Sequence, residues 1–278
     1  PATIPAFLDS VVPAYMDSFH LAGVAVAVVQ DGRPVVLKGY GLADVESRVP
    51  VDPHRTVFGV GSITKLFTAT AATQLIDRGE LSLSDPVDHY LDGWRLHDSG
   101  RLGTITVGHL LTHTAGFEDH LIGIATLNQR SLIPLRSYLP ANTPRRFAMA
   151  GDIYSYSNYG MSLVGHVVER VSGSEYGHYI DTNIFRPLGM GSSSVGLAAD
   201  LRPAAAVGYR FFPEDGLRRT RESFINLAPA GSIYSTAADM ASYMIAILQD
   251  GRFDSQVLFS PKGAQLMRQR HHSGAPTQ

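Results

Sequence analysis

Two short apolar runs near the start of the chain, joined by a tight turn, constrain its fold more than any other feature. The runs occupy residues 24–29 and 34–37, and Asp31 and Gly32 lie between them. β-Branched runs on either side of an Asp-Gly turn predict a β-hairpin. A two-stranded hairpin is marginal by itself and needs further strands or a covering helix. Because no convincing strand pattern follows residue 236, the sequence predicts a sheet without its full set of partner strands.

Helical patterns account for most of the remaining chain. Apolar residues at helical spacing predict a helix over 4–19, kinked or restarted at Pro13, and another over 62–78 that Gly79 ends. Further helices are predicted at 106–113, with Thr106 as the N-cap, at 158–172, which Gly173 ends, and at 174–184 and 236–249. Long polar or proline-bearing connections are predicted at 92–105 and 134–151. The order is therefore helix, hairpin and then a mainly helical body.

Length and charge exclude several classes of protein. The chain has 278 residues, a formal net charge of −2 and 44% hydrophobic residues, which suits one large domain or two joined domains. This near-neutral balance gives no reason to expect nucleic acid or an anionic membrane surface as a partner. Disulfides are excluded because the chain has no cysteine. No apolar run reaches the roughly 20 residues that a membrane span needs.

The tetrad SITK at 62–65 is the first motif that carries chemistry, and it starts a predicted helix. A spacing of three places the Ser62 hydroxyl and the Lys65 amine on one helical face. Serine is a poor nucleophile until a neighbouring base takes its proton, and a partly desolvated lysine can be that base. The alternative is a serine N-cap followed by a solvated lysine, so the tetrad alone has little specificity.

The triplet YSN at 156–158 is the second motif, at a predicted junction between a loop and a helix. Tyr156 could relay a proton between nucleophile and leaving group, and the Asn158 amide could hold Lys65 and a substrate carbonyl. The alternative is that Tyr156 only packs and that Asn158 is an N-cap. Both motifs in this order indicate serine-based chemistry more specifically than either motif alone.

Five stretches together resemble the serine β-lactamases and penicillin-binding proteins, in the branch of class C β-lactamases, esterases and D-alanyl-D-alanine peptidases. They are GVGSITK at 59–65, LLTHTAG at 110–116, YSN at 156–158, IFRPLGM at 184–190 and AGSIYST at 230–236. The match covers nearly the whole chain in the family's order and spacing. The resemblance implies a β-lactamase/transpeptidase-like α/β (α+β) fold, with an antiparallel sheet flanked by helices and an inserted helical domain.

The resemblance also implies an acyl-enzyme mechanism. Ser62 would attack a carbonyl, Lys65 and Tyr156 would share the general-base work, and Asn158 would bind substrate. The Ser62 backbone N–H would supply one arm of the oxyanion hole. The implied partner is a small ester, amide or β-lactam substrate. Neither a cofactor nor a metal is expected, and the oligomeric state is left open.

The chain departs from the family pattern at its third motif. A K-T-G or H-x-G strand would supply the second oxyanion donor, and neither motif occurs here. We therefore expect a shortened version of a longer protein, with C-terminal sheet strands missing. Because losing one oxyanion donor costs roughly 100- to 1000-fold in rate, the lone chain is expected to be weakly active or inactive.

Other readings of the sequence have less support. His109 and His113 are four residues apart on a predicted helix, but the H-E-x-x-H form of a zinc site is absent, so a structural role is favoured. No G-x-S-x-G surrounds a serine, which argues against an α/β-hydrolase. No glycine-rich nucleotide loop occurs. The chain begins at Pro1 rather than Met, so we expect a processed N-terminus and favour an extracytoplasmic location.

The sequence thus predicts a serine hydrolase in two parts. The sheet part comprises 1–61 and 231–278, and the mainly helical part, with both motifs, comprises 62–230. We favour an esterase or a broad peptidase-like hydrolase among the possible activities. The alternative from a different class is a sensor or scaffold that keeps this fold without turnover.

Overall fold

The structure is a computed structural model that describes residues 3–96 and 101–272. Within that part of the chain the α-helices are α1 (Ile4–Phe19), α2 (Thr64–Asp77), α3 (Val107–Leu111), α4 (Leu135–Ala141), α5 (Asn158–Ser172), α6 (Tyr176–Ile180), α7 (Ala228–Gly231), α8 (Ala237–Leu248) and α9 (Pro261–Arg268). Shorter 3₁₀ turns occupy Gly61–Ile63, Val87–Tyr90, Gln129–Ser131 and Arg202–Ala204, and a π-helical turn occupies Asp181–Phe185.

The strands are short apart from the first two. They are β1 (Gly23–Gln30), β2 (Arg33–Asp44), β3 (Val49–Pro50), β4 (Phe58–Gly59), β5 (Ala125–Thr126), β6 (Ser194–Val195), β7 (Tyr209–Phe212), β8 (Gly216–Arg219), β9 (Phe224–Ile225), β10 (Ile233–Ser235), β11 (Arg252–Phe253) and β12 (Gln256–Val257).

The predicted hairpin is confirmed as β1 and β2. These strands pair antiparallel, with Gly23 opposite Gly41 and Val28 opposite Val36. β2 lies between β1 and β3 in a three-stranded sheet. Helix α8 packs against β1 and β2, and α1 packs against the same sheet. The sheet is therefore covered by helices, as a marginal hairpin requires.

A second small sheet joins distant parts of the chain. β10 lies between β4 and β6, so that Tyr234 pairs with Gly59 on one side and with Ser194 on the other. Its strands are two or three residues long, too short for an alternating pattern to reveal them. This sheet ties the segment before α2 to the segment before α8.

Helix α2 forms the centre of the core. It packs against α5, α7 and α9. Phe67 is fully buried, stacked on Tyr243 at a centroid distance of 4.1 Å and meeting the edge of Phe185 at 5.6 Å. Thr70, also buried, hydrogen-bonds the Tyr243 hydroxyl at 2.9 Å. A helix buried in this way is a rigid support for the residues at its N-terminus.

Several predicted helices differ in detail from the structure. α1 runs as one helix through Pro13 and does not restart there. The helix predicted over 62–78 begins with the 3₁₀ turn, and α2 proper starts at Thr64. The segment predicted over 174–184 is α6 followed by the π-helical turn. α5 ends at the left-handed Gly173, as the sequence predicted.

Two expectations from the sequence, one about a connection and one about strands, were wrong. The stretch 134–151 contains α4, which Pro134 and Pro140 obscured. The two-residue strands β11 and β12 follow residue 236, where no strand was expected. The predicted connection at 92–105 lies partly outside the described residues. The division into 1–61 with 231–278 and 62–230 stays a prediction. Among the described helices, none has the length and apolar character to cross a bilayer.

Candidate active site

Ser62 lies in the 3₁₀ turn that leads into α2, and its side chain is exposed. Gly61, with φ +54°, takes the left-handed conformation that the turn after β4 requires. The turn is fastened to β10: the Val60 N–H donates to the Ile233 carbonyl at 2.9 Å, and the Ile233 N–H donates to the Thr64 hydroxyl at 3.0 Å. β10 thereby fixes the position of the Ser62 hydroxyl.

Lys65 is one helical turn beyond Ser62 and is 8% exposed. Its Nζ donates to Ser62 Oγ at 3.0 Å, to Asn158 Oδ1 at 2.9 Å and to the Ala230 carbonyl at 2.6 Å. A lysine ammonium has three hydrogens to donate and no acceptor. These three contacts hold Nζ between the N-terminus of α2, α5 and α7.

Tyr156 contacts the serine from the other side. Its hydroxyl lies 2.8 Å from Ser62 Oγ. Its ring lies over the lysine, with Lys65 Nζ 4.8 Å from the ring centroid, and against the ring of His113 at 4.7 Å. Ser62 Oγ is thus within hydrogen-bonding distance of two groups able to exchange its proton.

Asn158 is the first residue of α5, and the alternative that it caps this helix is wrong. The N-cap is Ser157, whose hydroxyl accepts the Gly160 N–H at 2.9 Å. This leaves the Asn158 amide free to join the site, where Asp119 holds its other end. The Asp119 carboxylate accepts from Asn158 Nδ2 at 3.3 and 3.4 Å, and from the Asn158 backbone N–H at 3.4 Å. The Asp119 carboxylate on Nδ2 and the Lys65 amine, as a donor, on Oδ1 fix the orientation of the amide.

His113 supports the tyrosine loop. Its Nδ1 accepts the Ser157 N–H at 3.2 Å. Burial of the ring, helped by the nearby charge of Lys65, lowers the pKa of His113 to about 4, against a smaller opposing effect of Asp119. The imidazole is therefore neutral at pH 7, as accepting a hydrogen bond requires.

His109 completes the capping box of α3 with Thr106 and does not form a metal site with His113. The Thr106 N–H donates to His109 Nδ1 at 3.1 Å, and the Thr106 hydroxyl accepts the His109 N–H at 3.3 Å. The Thr106 cap was predicted from the sequence, but the part played by the His109 ring was not. Within residues 3–96 and 101–272 no group of three or more potential metal ligands is present.

The structure brings all four predicted residues, Ser62, Lys65, Tyr156 and Asn158, into one hydrogen-bonded cluster. Sequence reasoning missed two contributors. The Ala230 carbonyl is a backbone group, and no residue type announces it. The only available signal for Asp119 was its position three residues after the stretch 110–116.

A cavity of about 180 Å³ lies next to the 3₁₀ turn that carries Ser62, although Ser62 itself does not line it. Gly61 and Gly231 line it on the side of Ser62, and Tyr234 lies on β10. Apolar side chains, including Leu197 and Ile225, form much of the remaining wall. The cavity can receive a small apolar group of a molecule whose carbonyl lies at Ser62 Oγ.

Known proteins are similar to this chain in sequence and in fold. The model of the Beta-lactamase family matches residues 8–278. The protein PbpX of Bacillus subtilis (strain 168) is 34% identical over 242 residues, which are 87% of this chain and 58% of PbpX. An octameric penicillin-binding protein homologue from Pyrococcus abyssi superposes with a TM-score of 0.82 at 28% identity, over 96% of this chain and 60% of the homologue. A penicillin-binding protein from Bacillus halodurans has a TM-score of 0.74 at 26% identity, over 94% of this chain and 78% of its own.

The chain matches only part of the length of these relatives. The chain spans 58% of the length of PbpX and 60% of that of the Pyrococcus abyssi protein. The similarity nevertheless covers nearly all of this chain.

Proposed function

This chain belongs to the Beta-lactamase family, a family of serine hydrolases, and from that premise we propose that it forms an acyl-enzyme on Ser62. One observation carries the proposal: Ser62 Oγ lies 2.8 Å from the Tyr156 hydroxyl and 3.0 Å from Lys65 Nζ. A serine that is exposed, next to two proton-exchanging groups and beside a cavity fits nucleophilic catalysis.

In the proposed reaction Tyr156 takes the proton of Ser62 while Oγ forms a bond to the substrate carbonyl carbon. Tyr156 acts here in its deprotonated form, which the positive charge of Lys65, with Nζ 4.8 Å from the tyrosine ring centroid, stabilises. As the tyrosine oxygen accepts the proton, the negative charge passes to the carbonyl oxygen of the substrate. The Ser62 N–H stabilises the oxyanion. Tyr156 then returns the proton to the leaving group as its bond to carbon breaks, and water hydrolyses the resulting ester.

The proposed substrate is a small ester, amide or β-lactam, with a preference for esters or peptide-like amides. Asn158 supports this because its amide, already oriented by Asp119, lies beside the reacting atoms, where it can bind a substrate carbonyl. The apolar wall of the adjoining cavity suits an uncharged acyl group.

Intact-mass spectrometry tests this function directly. The protein is incubated separately with a fluorophosphonate, a penicillin and a cephalosporin, next to its Ser62→Ala variant and a Ser84→Ala control. Ser84 is exposed, and among the described residues its side chain hydrogen-bonds Ser82 alone. We expect one stoichiometric adduct that Ser62→Ala abolishes and Ser84→Ala retains.

The pattern of adducts also separates the possible activities. Trapping by the fluorophosphonate alone favours an esterase, and trapping by β-lactams favours a penicillin-binding site. No adduct with any probe, in protein that is folded by circular dichroism, would contradict the proposal. It would favour the sensor or scaffold that keeps the fold without turnover.

A further inference from the structure

Helix α7 supplies the Ala230 carbonyl that binds Lys65, so the contacts that hold α7 determine where this carbonyl lies. The helix is only four residues long, Ala228–Gly231, and its Pro229 and Ala230 are buried. A helix of this length is not stable by itself, because most of its backbone groups have no partner within it. The position of the Ala230 carbonyl therefore depends on tertiary contacts.

Thr68 of α2 supplies one of these contacts. Its hydroxyl donates to the Pro229 carbonyl at 2.7 Å, and the next carbonyl along α7, that of Ala230, accepts from Lys65 Nζ at 2.6 Å. Lys65 and Thr68 are three residues apart, so they lie on one face of α2. Because Thr68 is fully buried, it reaches the site only through α7.

Tyr176 fixes the direction of the Thr68 hydroxyl. The tyrosine oxygen lies 2.8 Å from Thr68 Oγ1. Thr68 has one hydroxyl hydrogen, and the Pro229 carbonyl is a nearer acceptor for it than the Thr64 carbonyl at 3.4 Å, so Tyr176 is the donor to Thr68. Burial raises the pKa of Tyr176 above its usual range, which keeps its hydroxyl protonated and able to donate.

Helix α5 closes α7 from another side. The Pro229 ring lies directly on Gly165 of α5, and no Cβ would fit between them. Asn158, which accepts a hydrogen bond from Lys65, is the first residue of the same helix. α7 is therefore held between the two helices whose side chains surround Lys65 Nζ.

We propose that Thr68, supported by Tyr176, is a positioning residue that fixes Lys65 Nζ through α7. The inference rests on the proposed acyl-enzyme function, in which Lys65 acts as a fixed cation. Without the Thr68 hydroxyl the buried Pro229 carbonyl loses its donor, which is unfavourable, so α7 shifts and the Ala230 carbonyl moves with it. A displaced Nζ stabilises the deprotonated Tyr156 less well, and acylation slows.

A matched control lies two residues away in α2. Thr70 is as buried as Thr68, and it also hydrogen-bonds a buried tyrosine hydroxyl, that of Tyr243 in α8, at 2.9 Å. Thr68→Val and Thr70→Val therefore remove the same group from the same helix, but only the first removes a contact with α7. Each should lower the melting temperature by roughly 2–8 °C, so a general loss of stability affects both alike.

The rate of fluorophosphonate labelling of Ser62 separates the two variants. We expect Thr68→Val to slow labelling roughly 10- to 100-fold and Thr70→Val to change it by less than about twofold. Thr68→Ser, which keeps the hydroxyl, should label within about threefold of the unmodified protein. Tyr176→Phe should slow labelling about three- to tenfold, whereas Tyr243→Phe, its matched control, should not.

Lysine NMR provides a second measurement that does not need acylation. The chain has three lysines, Lys38, Lys65 and Lys262, so the Cε–Hε signals of ¹³C-lysine-labelled protein can be assigned with a Lys65→Arg variant. The Lys65 signal should shift in Thr68→Val and keep its position in Thr70→Val.

The two measurements distinguish failure of this inference from failure of the proposed function. Equal labelling rates in Thr68→Val and Thr70→Val, or equal Lys65 signals, would overturn the inference. Labelling of Thr68→Ser as slow as that of Thr68→Val would also overturn it, because the hydroxyl would then not matter. If a valine variant does not fold, the two phenylalanine variants give the same comparison. Failure of the unmodified protein to label would contradict the acyl-enzyme function, and NMR would still decide whether Thr68 positions Lys65.

Discussion

Replacing Tyr156 by phenylalanine is the sharpest test of how the proposed nucleophile is activated. The change removes one oxygen, which lies 2.8 Å from Ser62 Oγ, and keeps the ring that packs against His113 at 4.7 Å. Because the tyrosine is only partly buried, losing this hydrogen bond should cost no more than about 1 kcal/mol of folding free energy. The melting temperature should therefore change little.

The effect on acylation should be far larger. In the proposed reaction Lys65, whose Nζ also bonds Asn158 Oδ1 and the Ala230 carbonyl, acts as a fixed cation and leaves the serine proton to Tyr156. Tyr156 would then be the general base, and a positioned base contributes about 100- to 10,000-fold to a rate. We expect Tyr156→Phe to slow fluorophosphonate labelling of Ser62 within that range.

The assay is the rate of adduct formation by mass spectrometry, with Tyr154→Phe as the matched control. Tyr154 is two residues away, 63% exposed, and meets the edge of His113 at 5.8 Å. The control should label at the rate of the unmodified protein. If Tyr156→Phe also labels within about threefold of the unmodified protein, Tyr156 is not the general base, and Lys65 must be able to fill that role.

Further expectations concern the support of the site, its response to pH and the core. Asp119→Ala should slow labelling of Ser62 by about three- to tenfold because the Asn158 amide loses the carboxylate that orients it; an unchanged rate would exclude that role. The depressed pKa of His113 stabilises the fold above about pH 6.5, and this contribution should be lost as the pH falls toward about 4. His113→Asn, which tolerates the positive φ of that position, should flatten the dependence of melting temperature on pH over this interval; an equal slope in both proteins would contradict the assignment. Phe67→Ala should lower the free energy of unfolding, measured by urea denaturation, by about 3–5 kcal/mol. Leu66→Ala, at a half-exposed neighbour, should lower it by less than about 1.5 kcal/mol, and similar losses in the two variants would refute the central position of Phe67.

The elements that the sequence predicted well are those with a local cause. The hairpin β1–β2 follows from two β-branched runs and an Asp-Gly turn, and α5 follows from apolar spacing ended by Gly173. Local causes also placed the N-cap at Thr106. In each case neighbours along the chain determine the conformation, so a single sequence suffices.

What the sequence could not show depends on distant contacts. β4, β6 and β10 are strands only because they pair with one another, and two or three residues have no periodicity to read. The family resemblance predicted that Ser62, Lys65, Tyr156 and Asn158 belong together, but not the distances between them. The hydrogen bond between Asp119 and Asn158 is likewise a product of tertiary folding, since an exposed aspartate has no distinguishing pattern.

The attachment of the α2 N-terminus to β10 also determines the stage of folding at which the site can form. The hydrogen bond between Thr64 and Ile233 joins residues 169 positions apart, and that between Lys65 and Ala230 joins residues 165 apart. Loops of this length close late and at a large entropic cost, whereas helices and the hairpin can form within microseconds. Secondary structure can therefore precede the assembled site by a wide interval. Labelling of Ser62 during refolding would then report the last long-range step of the chain, which circular dichroism does not distinguish.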